Sequence, residues 1–484
     1  MALISDQEVQ EILARVRARV GPPAGAATPA ARPAPAAPAA SPAGEGVVLS
    51  IGEAVAAAGA AFREFRELGL DRRRAIVDAM RAAMRQHAEP LARQAREETG
   101  IGRAADKVIK NQLVIEKTPG PEDLDPHVAS GDRGLTITEY APFGVIASIT
   151  PTTNPTSTII NNSIAILAAG NTVVFNPHPA AKRVSVENVR LLARAIAAAG
   201  GPANLITVIP EPTIDTAREL MSHAGVRILL VTGGPAVVAE ALKTSKRAIT
   251  AGPGNPPVVV DETADLELAG RELVRGASFD NNLICTDEKE VFAVDSVADE
   301  LLAVMRRSGA VEVAGEKLRA LERVVFEKPG EPRQPGVIRR KWIGQDAARI
   351  LAEIGVAAGE ETRLVVCDVP VDHPLVWSEQ MMPVLPVARV RSADEGIDLA
   401  VEAEHGFRHT AAIYSRNVER ITRMARRMNV SIFVANAPTL AGLGAGGEGF
   451  TSFSIATPTG EGLTRPRTFS RVRRMTLAGG LRMV

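Results

Sequence analysis

Two cysteines, Cys285 in "GASFDNNLICTDEK" and Cys367 in "RLVVCDV", open the question of what chemistry this chain can do. Neither belongs to a C-x-x-C pair, so a disulfide framework or a zinc ribbon is not expected, and a reducing compartment is. Cys367 lies in an apolar run that reads as a buried strand, where a thiol behaves as a small hydrophobe. Cys285 follows Asp280, Asn281 and Asn282, polar and turn-prone residues whose setting permits the exposure a reactive thiolate needs. A free thiol with a pKa of about 8.5 must still be activated. The local sequence therefore leaves Cys285 open between nucleophile and structural residue.

Other motifs compete for attention. Gly442, Gly444 and Gly447 spell G-x-G-x-x-G within "GLGAGGEGF". That fingerprint works only where a helix N-terminus meets a pyrophosphate, and "EGFTSFSIATPTG" follows as no helix. A loop bordering a site is expected there instead. "LLVTGGPAVVAEAL" is better placed, because a strand ends at Thr232, Gly233 and Gly234 and a helix starts at once. Its backbone donors could face a phosphate, although a plain strand-to-helix turn uses the same glycines. His405 and His409 stand four apart, but Gly406 between them and the lack of an intervening Glu spoil the zincin pattern, and no metal site is expected. A serine nucleophile lacks its G-x-S-x-G signature.

The elements that must position these residues follow from length and pattern. A chain of 484 residues with 45% hydrophobic content is too long for one core and should fold as two or three packed domains. Lys plus Arg number 56, as do Asp plus Glu, so no global field would hold nucleic acid or a membrane surface. No apolar run reaches the roughly 18 residues of a membrane span, and no signal peptide is evident. A cytoplasmic small-molecule enzyme is expected. Residues 53 to 98 look helical, and "GLTITEYAP" alternates Leu135 and Ile137 against Thr136 and Thr138 as a strand does. Beyond it, short apolar runs alternate with amphipathic helices, the sequence form of a parallel sheet covered on both faces. The expected fold class is therefore α/β with two parallel-sheet, Rossmann-like domains. These occupy residues 47–247, with a strand extension near 131–141, and residues 248–440; residues 441–484 return to the first.

Ahead of this body, "MALISDQEVQEILARVRARV" carries an apolar stripe at helical spacing, begun by the capping box of Ser5 and Glu8. Residues 21–46, rich in Pro and Ala, make a tether. A short helix on a tether either frays, packs back on the body or docks on another protein.

Taken together, the segments "APFGVIASITPTTNPTS", "AGNTVVFNPHPAAK", "LLVTGGPAVV", "NPPVVVDETADLELA", "SFDNNLICTDEK" and "SEQMMPVLPV" resemble the aldehyde dehydrogenase superfamily from about residue 47 onward. "FNPHP", "NNLICTDEK", "EQMMPVLPV" and "EGFTSFSIATPTGEG" look like its coenzyme A-acylating members from bacterial microcompartments, which make propionyl- or acetyl-CoA. The resemblance implies that Cys285 adds to an aldehyde and that Asn154 and the Cys285 backbone N–H hold the oxyanion. It places NAD along Asn176, His178 and the Thr232–Gly234 turn, with Glu379 at the nicotinamide ribose.

One departure carries chemical weight. Hydrolytic members use a Glu as base for water, and Thr250 in "ITAGPGNPP" stands in its place; Thr accepts no proton near neutral pH. CoA as acyl acceptor is the expectation, with a hydrolytic enzyme or a non-catalytic assembly protein as alternatives. Residues 1–20 then look like an encapsulation peptide that docks on a microcompartment shell protein or another cargo. The strand near 131–141 and "TFSRVRRMTL" would join subunits of a homodimer or homotetramer, and their unpaired edges suggest pairing by themselves.

Overall fold

A computed structural model describes residues 45–481. The expected helix at residues 1–20 and nearly all of the tether lie outside the described residues.

Five parallel strands form the first sheet, in the order Ile206–Val208, Thr172–Pro177, Val145–Thr150, Val226–Thr232 and Arg247–Ala251. From Val145–Thr150 the chain first winds one way and then, at Val226–Thr232, the other. The point where winding reverses leaves a crevice at the carboxyl ends of those two neighbouring strands. Asn154 and the Thr232–Gly234 turn follow those ends. The second sheet has seven parallel strands, ordered Ala310–Glu312, Leu364–Val369, Val384–Val390, Glu290–Val294, Pro257–Val260, Thr410–Tyr414 and Ile432–Ala435. Arg247–Ala251 still pairs in the first sheet, so the sheets change between Ala251 and Pro257, a few residues beyond the boundary expected near 247.

One hydrophobic cluster runs through both sheets, taking Ile146 and Val173 from the first and Val258, Val291 and Val387 from the second. The two layers therefore share a core and hold each other's loops in register. The helix Pro155–Ala168 lies inside this core with every residue buried. A helix buried on all sides must satisfy its polar side chains internally. Thr156 Oγ1 donates to Asn111 Oδ1 (2.8 Å), and Asn162 Nδ2 to Ser148 Oγ (3.1 Å).

The helical stretch expected at 53–98 is two helices, Ile51–Phe65 and Leu70–Thr99, the second ended by Gly100 in the left-handed conformation. A third helix, Ala104–Lys117, follows it and packs against it. The strand Gly134–Pro142 pairs along its whole length with Ser470–Ala478, and His127–Gly131 completes a three-stranded antiparallel sheet. Val472, Met475 and Leu477 on this sheet are exposed. Among the described residues no helix is long and apolar enough to cross a membrane.

Residues 439–453 leave the edge of the second sheet, where Thr439–Leu443 packs on Ile432–Ala435, and reach Lys117. The glycine-rich loop is anchored by Lys117, whose Nζ donates to the carbonyl oxygens of Gly444 (2.6 Å) and Gly447 (2.9 Å), while Thr451 N–H donates to Lys117 O (3.0 Å). The structure places no helix after the three glycines. Hydrogen bonds from a charged donor contribute about 1.5–3 kcal/mol each. Lys117→Met is therefore expected to raise amide hydrogen exchange across 444–451 by at least about tenfold, read by mass spectrometry, with exchange in Val145–Thr150 unchanged.

Candidate active site

At the crevice lies a cavity of about 320 Å³ whose wall includes Asn154, His178, Thr232, Gly233, Gly234, Cys285 and Glu379. Residues far apart in the chain thus meet in one place. Leu283, Ile284, Met381, Leu443, Phe453 and Ile455 supply its apolar lining. Asn176 is not on this wall; it is buried at the end of its strand, where its Oδ1 accepts from Thr216 Oγ1 (2.7 Å). Nothing stands within 4 Å of where a Cβ on Gly234 would be. The start of the helix Pro235–Leu242 is therefore open to close approach by a ligand's backbone-bound groups, as a dinucleotide needs.

The nucleophile loop explains its own sequence. Asp280, Asn281 and Asn282 have φ of 45°, 58° and 62°, three successive left-handed residues. Asp and Asn tolerate that region best among residues with a Cβ. All three are buried, so their polarity reflects internal bonding, while Cys285 itself is partly exposed. Asn281 Nδ2 donates to Gly344 O and Asp346 Oδ1 (both 2.9 Å). Asn282 Nδ2 donates to Ala277 O (2.8 Å) and Glu288 O (2.9 Å). Lys289 Nζ then gathers Asn282 Oδ1 (2.6 Å), Asn282 O (3.0 Å) and Ile284 O (3.1 Å), and Asp287 Oδ2 accepts from Ile284 N–H (3.0 Å). Cys285 therefore projects from a loop with little freedom, and its access to solvent comes from the cavity.

Asp280 ties this loop to the rest of the site. Its Oδ2 receives Lys107 Nζ (3.0 Å) and Lys110 Nζ, its Oδ1 receives Arg103 N–H (2.6 Å), and its own N–H donates to Asp106 Oδ2 (3.0 Å). Lys110 Nζ also donates to Asn154 Oδ1 (2.6 Å). Burial alone would raise the Asp280 carboxyl, but Lys107 and Lys110 outweigh it and hold it below the usual range. Burial draws Lys107 down to about 8, with Asp280 opposing and Lys110 adding to the fall.

Around the thiol, burial dominates the electrostatics. Cys285 is partly exposed, yet the protein packed about it pushes its pKa up to about 12; Glu379's charge adds to the rise and Lys289 opposes it. Glu379 is itself raised by burial, with Lys289 and the Gly254 N–H, 3.4 Å from its Oε1, opposing. Cys367 is wholly buried, as its strand predicts, and its pKa is raised further.

Gly254 is marked by no sequence motif, and the sequence raises His409 only as a metal ligand. A Cβ on Gly254 would sit 2.5 Å from the Cys285 carbonyl oxygen, so only glycine allows this approach. The His409 ring crowds the same Cβ position, with Cγ at 3.1 Å; burial, then Lys289, lowers its pKa to about 3, leaving a neutral ring with Nδ1 at 2.9 Å from Thr410 Oγ1 and Nε2 unpartnered. His405 instead meets Trp377 O through Nε2 (2.9 Å), so the two histidines serve separate contacts. Thr250 is buried within its strand, away from the cavity wall, and Glu379 carries the only carboxylate among the described residues of that wall.

Comparisons with known proteins identify relatives of this chain. Residues 31–318 and 361–453 match the aldehyde dehydrogenase family. The acetylating acetaldehyde dehydrogenase of Salmonella typhimurium is 50% identical over 440 residues, covering 91% of this chain and 94% of its own. Rhodopseudomonas palustris propionaldehyde dehydrogenase with bound propionyl-CoA superposes with a TM-score of 0.88 at 45% identity, over 90% of this chain and 96% of the other. A second structure of it, with CoA and an acylated cysteine, gives 0.87 at 45% identity over 90% and 98%. The propionaldehyde dehydrogenase from the fucose utilisation microcompartment of Clostridium phytofermentans gives 0.88 at 44%, over 91% and 100%.

The raised pKa of the Cys285 thiol makes a direct prediction. Below its pKa the thiolate fraction grows about tenfold per pH unit, so iodoacetamide should modify Cys285 with a rate rising about tenfold per unit from pH 7 to 9. Cys367 should stay unmodified in the folded protein. Removing the Glu379 charge lowers the cost of the thiolate, so Glu379→Gln is expected to speed alkylation at fixed pH, as measured by mass spectrometry of the peptide.

Proposed function

The chain belongs to the aldehyde dehydrogenase family, and from that premise we propose that it oxidises a short aldehyde of the acetaldehyde or propionaldehyde class to the acyl-CoA. The observation that carries this reading is the single cavity wall shared by Cys285, Asn154 and the Thr232–Gly234 turn, with Thr250 held off it. Its relatives include an acetylating acetaldehyde dehydrogenase and a CoA-propanoylating propanal dehydrogenase.

Cys285 acts as the nucleophile. Its thiolate adds to the aldehyde carbon, and the carbonyl electrons move to oxygen, giving a thiohemiacetal anion. The Asn154 side-chain amide and the Cys285 N–H donate to that oxygen; they are fixed before the charge forms, so no reorganisation is needed when it does. NAD, when bound, supplies the acceptor for the hydride that leaves the same carbon. The open Gly233–Gly234 turn, His178 and Glu379 are the wall residues that would hold it. Cys285 then carries an acyl thioester. The CoA thiolate attacks that carbonyl, and Cys285 leaves as thiolate. Water would need a base to compete, and Thr250, buried in its strand, is none. The apolar walls at Leu443, Phe453 and Ile455 suit a short alkyl chain.

In this reading residues 47–251 and 441–484 form the cofactor-binding part, and residues 257–440 the part that carries the thiol. The exposed apolar side chains on Ser470–Ala478 and the paired Gly134–Pro142 strand form the contact of a homodimer or homotetramer. Residues 1–20 dock the enzyme on a shell protein or another cargo in the lumen of a bacterial microcompartment; the C. phytofermentans relative comes from one.

With propionaldehyde and NAD, sustained NADH formation is expected only when CoA is added, and equal rates without CoA would overturn the assignment in favour of hydrolysis. Cys285→Ala should abolish turnover and Cys367→Ala should not. Asn154→Ala should lower kcat by about 10²- to 10³-fold, the typical effect of losing one oxyanion donor. A fluorescent protein fused to residues 1–46 should co-purify with microcompartment shells; its absence from them refutes the docking role.

A further inference from the structure

We propose that Lys110 is a positioning residue for aldehyde oxidation: its ammonium captures the Asn154 side-chain oxygen and so turns the amide N–H groups toward the cavity beside Cys285. The proposal rests on the reading of Asn154 as the oxyanion donor.

A side-chain amide is two-faced. Its oxygen accepts and its nitrogen donates, and only a donor stabilises an oxyanion; the carbonyl end turned to the cavity would repel it. Which end faces the cavity is settled by what stands behind. An ammonium has three donors and no lone pair, so it accepts nothing from an N–H and must face the amide oxygen. Lys110 Nζ stands 2.6 Å from Asn154 Oδ1. The amide nitrogen has one long contact, 3.3 Å to Thr153 Oγ1, and so keeps donor capacity for a substrate. Asn154 also precedes the first turn of its helix, where no side-chain cap bond holds it. Lys110 is therefore the contact that orients it.

The ammonium is in turn held from the nucleophile's side. Lys110 is 2% exposed, and its charge is met by Asp280, five residues before Cys285. Lys107 shares the same carboxylate oxygen. One carboxylate thereby meets both the lysine behind the amide and the loop that delivers the thiol, and Lys107 and the Arg103 N–H hold it independently of Lys110. Two ammoniums against one carboxylate also leave the pocket behind Asn154 positive, the sign that favours an anion in front of it.

Four variants test this: Lys110→Met, Lys110→Gln, Asn154→Ala and the double variant Lys110→Met/Asn154→Ala. The readouts are the single-turnover rate of NADH formation, KM for the aldehyde and the alkylation rate of Cys285. Lys110→Met is expected to slow NADH formation by about 30-fold or more with KM within about twofold, while Cys285 alkylation stays at the wild-type rate. Lys110→Gln keeps one donor and is expected to lose less; it also serves if Lys110→Met does not fold. The double variant should be no slower than Asn154→Ala, because the lysine acts only through the amide. Multiplying losses, a changed alkylation rate, or wild-type turnover in both lysine variants overturns the proposal. Wild-type turnover in Asn154→Ala removes the oxyanion role itself, which separates failure of that reading from failure of the lysine's part in it.

Discussion

The Asp280 carboxylate, buried between Lys107 and Lys110, is the constraint on which the site depends. Taking charges out of water costs several kcal/mol per ion, and that cost is offset only where each charge finds close partners. Here the partners come from three places: the helix Ala104–Lys117, the backbone of Arg103 and the start of the nucleophile loop. Breaking the cluster would leave unpaired ammoniums in the interior. The protein therefore keeps together, at one point, elements that belong to different layers.

From that point the geometry propagates in both directions. Toward Asn154 it runs through Lys110; toward Cys285 it runs through three left-handed residues whose side chains are all spent on the loop's own backbone and its neighbours. Lys289 closes the far side by collecting carbonyl oxygens of the same loop. The thiol is left as the group without a dedicated base. Its raised pKa follows from the same dryness that strengthens every hydrogen bond around it.

Much of the fold was legible in the sequence because its strands are short, apolar and punctuated. Others were not. Val384–Val390 carries Pro386, which signals against a strand, yet it lies between two neighbours in the sheet; its register partner is Cys367. Ala104–Lys117 was passed over because its buried face includes Asp106, Lys107, Lys110 and Asn111, so apolar periodicity does not mark it. Those same polar residues are its functional content. At residues 280–282 the polarity is legible but its use is not, since polarity in sequence does not distinguish a solvated turn from an internally bonded one.

The sequence by itself determined the parallel α/β architecture and the burial of Cys367 and, through resemblance, the threonine at 250 and most of the residues that border the cavity. Those are properties of residue type, local pattern and order along the chain. Only the tertiary structure decided that Asn176 stands off the cavity, that Gly254 must be glycine beneath Cys285, and that Lys110 reaches Asn154. The contacts among these join segments distant in the chain, and the energy of a buried charge or a close approach depends on what surrounds it, which no single segment encodes.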